Sequence, residues 1–267
     1  MIRVGLLTDY GTRDGFVALC QGIILERAPE TSLFDISHEV PPMDVRHGAA
    51  VLTRVLPYLP AAIYFVVVDP GVGTKRRPAA VRAGESIIVG PDNGLLAAGA
   101  AALGGASEAY VLTNSALWLP TVGRTFHGRD IFAPVVGHLA AGRPLAEVGE
   151  PTPVDTLVEL PPLRSRIADG VVTSDVSYVN RYGNIQLAAG PDALDVLGPG
   201  RVDVRCGDVA AWATVGRTFG EVPERELVLF VDSDGRVALA VNGGDAAARL
   251  GVRSGSEVVL RRSRMEA

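Results

Sequence analysis

An α/β domain followed by a smaller all-β barrel domain is the architecture this sequence predicts. Three observations carry that reading. Apolar, β-branched runs such as Val66-Val67-Val68 alternate with helical stretches through the first half of the chain. A proline-punctuated stretch, Pro151-Thr152-Pro153 to Pro161-Pro162, then interrupts the pattern. Beyond it the patterns are short strands, separated by glycines and Asp/Asn turns.

Taken in order, residues 2–8 read as a strand and 14–28 as a helix ended by Pro29. Residues 31–36 form a second strand. Residues 44–57 are helical, with Asp44 as N-cap after the Pro41-Pro42 turn. Residues 62–68 make a central strand, buried on both faces because nearly every position is apolar. Strands at 79–83 and 86–89 precede a helix led by Gly94. A strand at 109–112 and a helix at 129–141, closed by Gly142, complete the first half. This alternation predicts a mainly parallel sheet flanked by helices over residues 1–155, with a linker at 156–162. The barrel, over 163–267, draws on strands at 166–173, 176–179, 184–187, 202–205, 208–214, 227–231, 236–240 and 256–261.

Composition narrows the function. In 267 residues, 30 acids against 25 Lys and Arg give a net charge of −5, and no basic patch is interleaved with aromatics. That argues against nucleic acid as a partner. Two distant cysteines, Cys20 and Cys206, fit ordinary thiols in a reducing cytoplasm. No apolar run is long enough to span a bilayer, and Asp9 falls too early for a signal peptide. No HxH or HExxH spacing points to a metal, so no metal site is expected.

Four polar patches sit where an α/β sheet places ligands. The first, Thr8 to Phe16, ends a strand. An aspartate there can accept both hydroxyls of a ribose, and Gly11 and Gly15 permit close backbone approach. Asp9 also reads as a turn former and Asp14 as a helix N-cap. The second patch runs from Asp69 through a Pro/Gly turn to Arg76 and Arg77, and spacing does not choose between the two cations. The third is Phe126-His127-Gly128-Arg129-Asp130, with a histidine at a helix start. The fourth, Gly90-Pro91-Asp92-Asn93-Gly94, reads as structural support for the Asp69 loop. In the second half, Asn180, Tyr182 and Asn184 surround a glycine, and Tyr182 offers a ring to a purine. Asn-Arg-Tyr-Gly-Asn is equally a good β-turn. Ser233-Asp234-Gly235 and Asn242-Gly243 flank the last hairpin strand.

Taken together, TDYGTRDGFV, VVVDPGVGTKRR, GPDNGLL, TFHGRD and NRYGNIQL resemble the S-adenosyl-L-methionine (SAM) hydroxide adenosyltransferase family. That is the hydrolase branch of the superfamily that includes the SAM-dependent fluorinase and chlorinase. The resemblance spans nearly the whole chain. It implies a homotrimer with SAM or adenosine between the first domain of one subunit and the second domain of the next. It implies a catalytic Asp69, Arg76 and His127, favouring Arg76 over Arg77, and Asp9 as the ribose acid. Further ligand contacts map to Asp14, Gly15, Phe16, Phe126, Gly128, Asn180, Tyr182, Asn184, Ser233, Asp234, Asn242 and Gly243. The halogenases carry Tyr in place of Asp69 and lack the histidine at 127. The family usually has Asp where this chain has Asn180, so a carboxylate near the methionine ammonium is missing.

The resemblance implies SAM plus water giving adenosine and L-methionine, by in-line attack at C5′. SAM is the substrate, and no cofactor is implied. Arg76 would stabilise developing hydroxide, with Asp69 or His127 taking the proton. The alternatives are a SAM-dependent halogenase, and a non-catalytic SAM- or adenosine-binding module.

Overall fold

The computed structural model describes residues 2–263. The chain divides into two compact units, the first through Leu160 and the second from Pro161. Met1 and residues 264–267 of the expected domains lie outside the described residues.

In the first unit β1 (Arg3–Thr8) is followed by α1 (Phe16–Arg27), β2 (Ser32–Ser37) and α2 (Val45–Val55). A single 3-10 turn, Leu56–Tyr58, finishes the stretch expected to be one helix, because Pro57 cannot donate to the α ladder. Then come β3 (Ile63–Val67), β4 (Pro78–Ala83), β5 (Ser86–Pro91), α3 (Leu95–Ala102) and β6 (Glu108–Val111). α4 (Ala133–Ala140) and the two-residue β7 (Glu150–Pro151) close the unit. Asp44 caps α2 as expected, accepting the His47 N–H at 2.9 Å. Asp14 does not cap α1: Gly15 holds that position at φ 73, with no side-chain bond.

The sheet order is β2-β1-β3-β5-β4-β6-β7. It is mixed rather than mainly parallel. β2, β1, β3 and β5 run parallel, whereas β4, β6 and β7 join by antiparallel pairing. The reason is the connection between β4 and β5. Only Gly84 and Glu85 separate them, and a parallel pair needs a crossover of about a dozen residues. Pro151 sits on the last edge strand, where its missing N–H costs no ladder bond.

Alternating residues of the central strands face two separate cores. Val4, Leu6, Phe65 and Val67 pack with Cys20 and Ile24 of α1 and with Val135, Val136 and Leu139 of α4. Leu7, Tyr64, Val66 and Val68 pack with Leu52 of α2 and with Leu95, Leu96 and Ala100 of α3. The hydrophobic effect thus sandwiches β1 and β3 between helical layers and fixes their carboxyl ends. Residues 157–160 stay with this unit: Leu157 is buried, and Val158 donates its N–H to Asp92 at 2.9 Å.

The second unit contains β8 (Ser165–Ala168), β9 (Val171–Val179), β10 (Ile185–Leu187), α5 (Asp192–Leu197), β11 (Arg201–Cys206) and β12 (Val209–Val215). β13 (Leu227–Val231), β14 (Val237–Val241), α6 (Ala246–Leu250) and β15 (Glu257–Arg262) follow. The order β10-β14-β13-β12-β11-β15-β9 returns to β10 through the β9–β10 pairing, which closes a seven-strand barrel, and β8 pairs on the outside of β9. Closure removes the exposed edges that an open sheet would carry. The strand expected at 166–173 is instead a hairpin. Asp169 and Gly170 both take positive φ, 52 and 71, as a two-residue turn requires. The all-β expectation also missed α5, started after Pro191, and α6, capped by Asp245.

Gly90 lets β3 and β5 approach closely: a Cβ there would lie 2.0 Å from the Val66 carbonyl oxygen. Gly90→Ala is therefore expected to lower stability by about 1–3 kcal/mol, read as a fall in the thermal midpoint. An unchanged midpoint would show that the strands can separate freely.

Candidate active site

The site forms where the sheet reverses its strand order. β1 leads through α1 to β2 on one side, and the chain then crosses through α2 to β3 on the other. Such a switch point opens a crevice outside the carboxyl ends of the strands. β1 and β3 are parallel neighbours with Thr8 opposite Val67. Asp9 and Asp69 therefore leave the sheet close together. Their proximity is felt: burial raises the Asp9 carboxyl above its ordinary value, the Met43 and Asp9 backbones oppose the rise, and the Asp69 charge adds to it. Asp9 Oδ2 accepts the Met43 N–H at 2.8 Å.

Asp69 is paired with Arg76. Nε lies 2.9 Å from Oδ1 and 3.0 Å from Oδ2, and Nη2 also donates to Oδ2. Both side chains are more than nine-tenths buried, at 9% and 7% exposure. The turn that returns Arg76 to Asp69 contains Gly73 at φ 74. A Cβ there would meet the Arg124 carbonyl at 2.3 Å, so this turn and the segment before His127 interlock. Arg76 Nη2 lies 3.0 Å from His127 Nδ1. A guanidinium only donates, so Nδ1 is the acceptor and the ring proton is assigned to Nε2. Burial lowers the His127 pKa below 6.5, and Arg76 lowers it further. Asp69, Asp130 and the Gly123 backbone push the other way without reversing the shift. The imidazole is neutral at neutral pH.

Arg77 turns elsewhere. Its Nε and Nη2 reach Asp92 Oδ2 at 2.8 and 2.5 Å, and Nη2 also donates to the Thr156 carbonyl. Geometry thus separates the two cations that spacing left equivalent. Asn93 Nδ2 donates to the Val68 carbonyl at 2.8 Å, so the Gly90–Gly94 patch braces the end of the Asp69 strand.

An aromatic cluster adjoins this chain. Tyr10, Phe16 and Phe126 meet edge to face, with centroids 5.2 to 6.1 Å apart, and Phe16 is 41% exposed. Gly128 is required beside it, because a Cβ would lie 2.0 Å from the Tyr10 hydroxyl. Asp14 and Gly15 are exposed at the start of α1. Tyr10, Met43 and Asp130 were not among the expected site residues. Tyr10 and Asp130 lay inside the quoted motifs, but their packing depends on distant partners. Met43 acts through its backbone, which leaves no side-chain signal.

The remaining candidates belong to the second unit. Asn180 Oδ1 accepts the N–H groups of Tyr182 and Asn184 at 2.9 and 3.0 Å, so this side chain builds its own loop. Tyr182 is 77% exposed. The Gly183 carbonyl accepts the Ala247 N–H at 3.0 Å, which ties the loop to the segment after β14 that carries Asn242 and Gly243. Asn242 Nδ2 donates to the Val222 carbonyl at 2.8 Å. Ser233 and Asp234 lie in the turn before β14, at its other end, where Asp234 accepts from Gln186 Nε2 at 2.7 Å.

A mixed α/β unit joined to a closed barrel, with a buried acid–guanidinium pair linked to a half-buried imidazole at the switch point, defines a class of two-unit proteins. Residues 4–149 match the SAM hydroxide adenosyltransferase N-terminal domain and residues 174–259 the C-terminal domain, and the chain belongs to that family. It is 50% identical over 256 residues to a Salinispora tropica protein named (R)-S-adenosyl-L-methionine hydrolase, covering 96% of each chain. A Thermus thermophilus protein of the same name is 39% identical over 97% of this chain and 100% of its own. A fluorinase from an Actinoplanes species is 26% identical over 96% of each. The solved structure of an uncharacterized conserved protein from Thermotoga maritima superposes with a TM-score of 0.84 at 34% identity, covering 97% and 100% of the two chains.

The lowered pKa of His127 has a signed consequence. Between the folded value and 6.5, the unfolded chain binds the proton and the folded chain does not. Stability therefore falls as pH drops through that window, and levels off below the folded value. Melting curves from neutral to acid pH should show a smaller acid-side loss in His127→Gln. Identical pH profiles would contradict a neutral imidazole.

Proposed function

We propose that this chain hydrolyses SAM to adenosine and L-methionine by attack of water at C5′ of the ribose. The observation that carries the reading is the Asp69–Arg76–His127 chain beside Asp9. The relatives named as hydrolases, at 39 and 50% identity, support it. As the C5′–S bond of the sulfonium breaks, L-methionine leaves as a neutral thioether, so the leaving group calls for no general acid, and the reading invokes no cofactor. The chemistry reduces to holding one water in line and stabilising the charge it develops. Arg76 supplies that stabilisation: Nε and Nη2 are committed to Asp69 and His127, and Nη1 is given to neither. His127 has committed Nδ1 to Arg76, so Asp69, with lone pairs to spare, accepts the water proton. Asp9 receives the ribose hydroxyls on the carboxylate that Met43 steadies.

Phe16, Phe126 and Gly128 shape the wall beside the reacting carbon, and Asp14 and Gly15 extend it. The second-unit residues Asn180, Tyr182, Asn184, Ser233, Asp234, Asn242 and Gly243 receive the adenine and methionine ends. A homotrimer brings these groups together from neighbouring subunits, in the cytoplasm. Among the described residues, no helix is long and apolar enough to cross a membrane. Light scattering should give about three times the 27.9 kDa chain mass. An active monomer would contradict the shared site.

The relatives' name specifies the (R) form, and we assign the same epimer here. Incubation with a mixture of sulfonium epimers in ¹⁸O-labelled water, followed by liquid chromatography and mass spectrometry, tests the reading. Adenosine labelled at the 5′-hydroxyl should appear while the (S) epimer remains. Unlabelled adenosine, a 5′-halo product in halide buffer, or no nucleoside at all would each defeat it. Within the same assay, Arg76→Ala should lower kcat by about 10²–10³. A rate near that of the parent protein would remove Arg76 from the mechanism.

A further inference from the structure

The irregular segment 119–126 ends at His127 and is governed by a residue the mechanism does not use. Asp130 is fully excluded from solvent, at 0% exposure. Its Oδ2 accepts the Gly123 N–H at 2.7 Å, and Oδ1 accepts Arg129 Nε at 2.6 Å. Its backbone carbonyl accepts the Leu119 N–H at 2.9 Å. One residue thus ties the segment at two points, four peptides apart. A wholly buried carboxylate is costly unless it is paired and hydrogen-bonded. Here one partner is a cation at 39% exposure and the other a single peptide N–H. An uncharged side chain could tie a loop at less cost, so the charge calls for a further reason.

The reason lies in what Gly123 faces. Its backbone is a neighbour of the His127 ring and favours the protonated imidazole. The Gly123 N–H is already given to Asp130, so the polar group left on that residue to meet the ring is its carbonyl. A ring N–H facing a carbonyl on one side fixes a lone pair facing Arg76 on the other. No residue between Asp130 and His127 offers another carboxylate to this loop.

We propose that Asp130 is a positioning residue for hydrolysis: it holds the Gly123 peptide against His127 and so aims Nδ1 at Arg76. The inference rests on the hydrolase reading for its effect on rate, but not for its effect on the imidazole. The charges facing His127 are Arg76 and Asp69 from the β3–β4 connection and Asp130 from its own turn. Of these, Asp69 and Asp130 favour the protonated ring, so neutralising Asp130 moves the titration downward.

The test is Asp130→Asn, which keeps size and one acceptor but removes the charge. Two quantities are measured: the His127 ring titration and tautomer by NMR on histidine-labelled protein, assigned with His127→Gln, and the kcat and KM for SAM. The expected result is a lower titration midpoint together with a fall in kcat of up to about 10², at unchanged KM. A variant that folds and leaves either the midpoint or kcat unaltered overturns the proposal. If Asp130→Asn does not fold, Gly123→Ala decides by the same two readings. Its Cβ would press on Asp130 Oδ2 at 3.2 Å, without requiring a left-handed backbone. If the parent protein turns over no SAM while the titration still shifts, the hydrolase reading fails and the aiming of the ring stands.

Discussion

Everything in the first unit's site is arranged around the Arg76 guanidinium. It is more than nine-tenths buried and lies between a carboxylate and an imidazole. A cation so placed is tolerable only because Asp69 meets it with both oxygens. The pairing in turn dictates the backbone. The chain must leave β3 at Asp69, reverse within seven residues, and bring Arg76 back into the same crevice. Gly73 supplies the left-handed step in that reversal, and its missing side chain admits the Arg124 carbonyl. The carbonyl belongs to the segment that delivers His127. One ion pair therefore sets the path of two loops.

On the proposed reading, the same arrangement lets a protein act on a sulfonium with little reactive machinery. The cation that would stabilise emerging hydroxide is held before any ligand arrives, so little reorganisation is left for the reaction itself. The aromatic cluster of Tyr10, Phe16 and Phe126 lies beside it. Apolar walls and fixed donors strengthen each other, because excluding water raises the worth of every charge inside.

Much of this was legible in the sequence where the information was local. The β-branched run before Asp69 marked the buried strand, and Asp44 marked its helix start correctly. Asp69, Arg76 and His127 were found together as motif residues, and the structure brings them into contact. Errors arose where non-local pairing or backbone sign decided. The sheet is mixed because two residues cannot cross over, a constraint present in the spacing of β4 and β5. The Asp169-Gly170 hairpin was hidden inside an apolar run that reads as one strand. Spacing left Arg76 and Arg77 equivalent and the family resemblance favoured Arg76; in the structure Arg77 turns to the distant Asp92 and Thr156. Asp130 stood in a quoted motif, but its importance depends on Gly123, which no periodicity connects to it.

The turn immediately after His127, Gly128–Phe132, is a π-helix that runs directly into α4. Such a turn accommodates one more residue than α geometry would. Downstream, α4 is anchored by Val135, Val136 and Leu139 in the core it shares with α1. The surplus residue is therefore absorbed upstream, which swings the histidine end by about 100° relative to α4. The aim of the imidazole thus depends on a count of residues as well as on the side chain of Asp130. Substitutions along α4 leave that count intact. Loss of a single residue between 128 and 132 would restore a regular helix and point the ring away from its guanidinium. The facing of ring and guanidinium is in this sense held as a length.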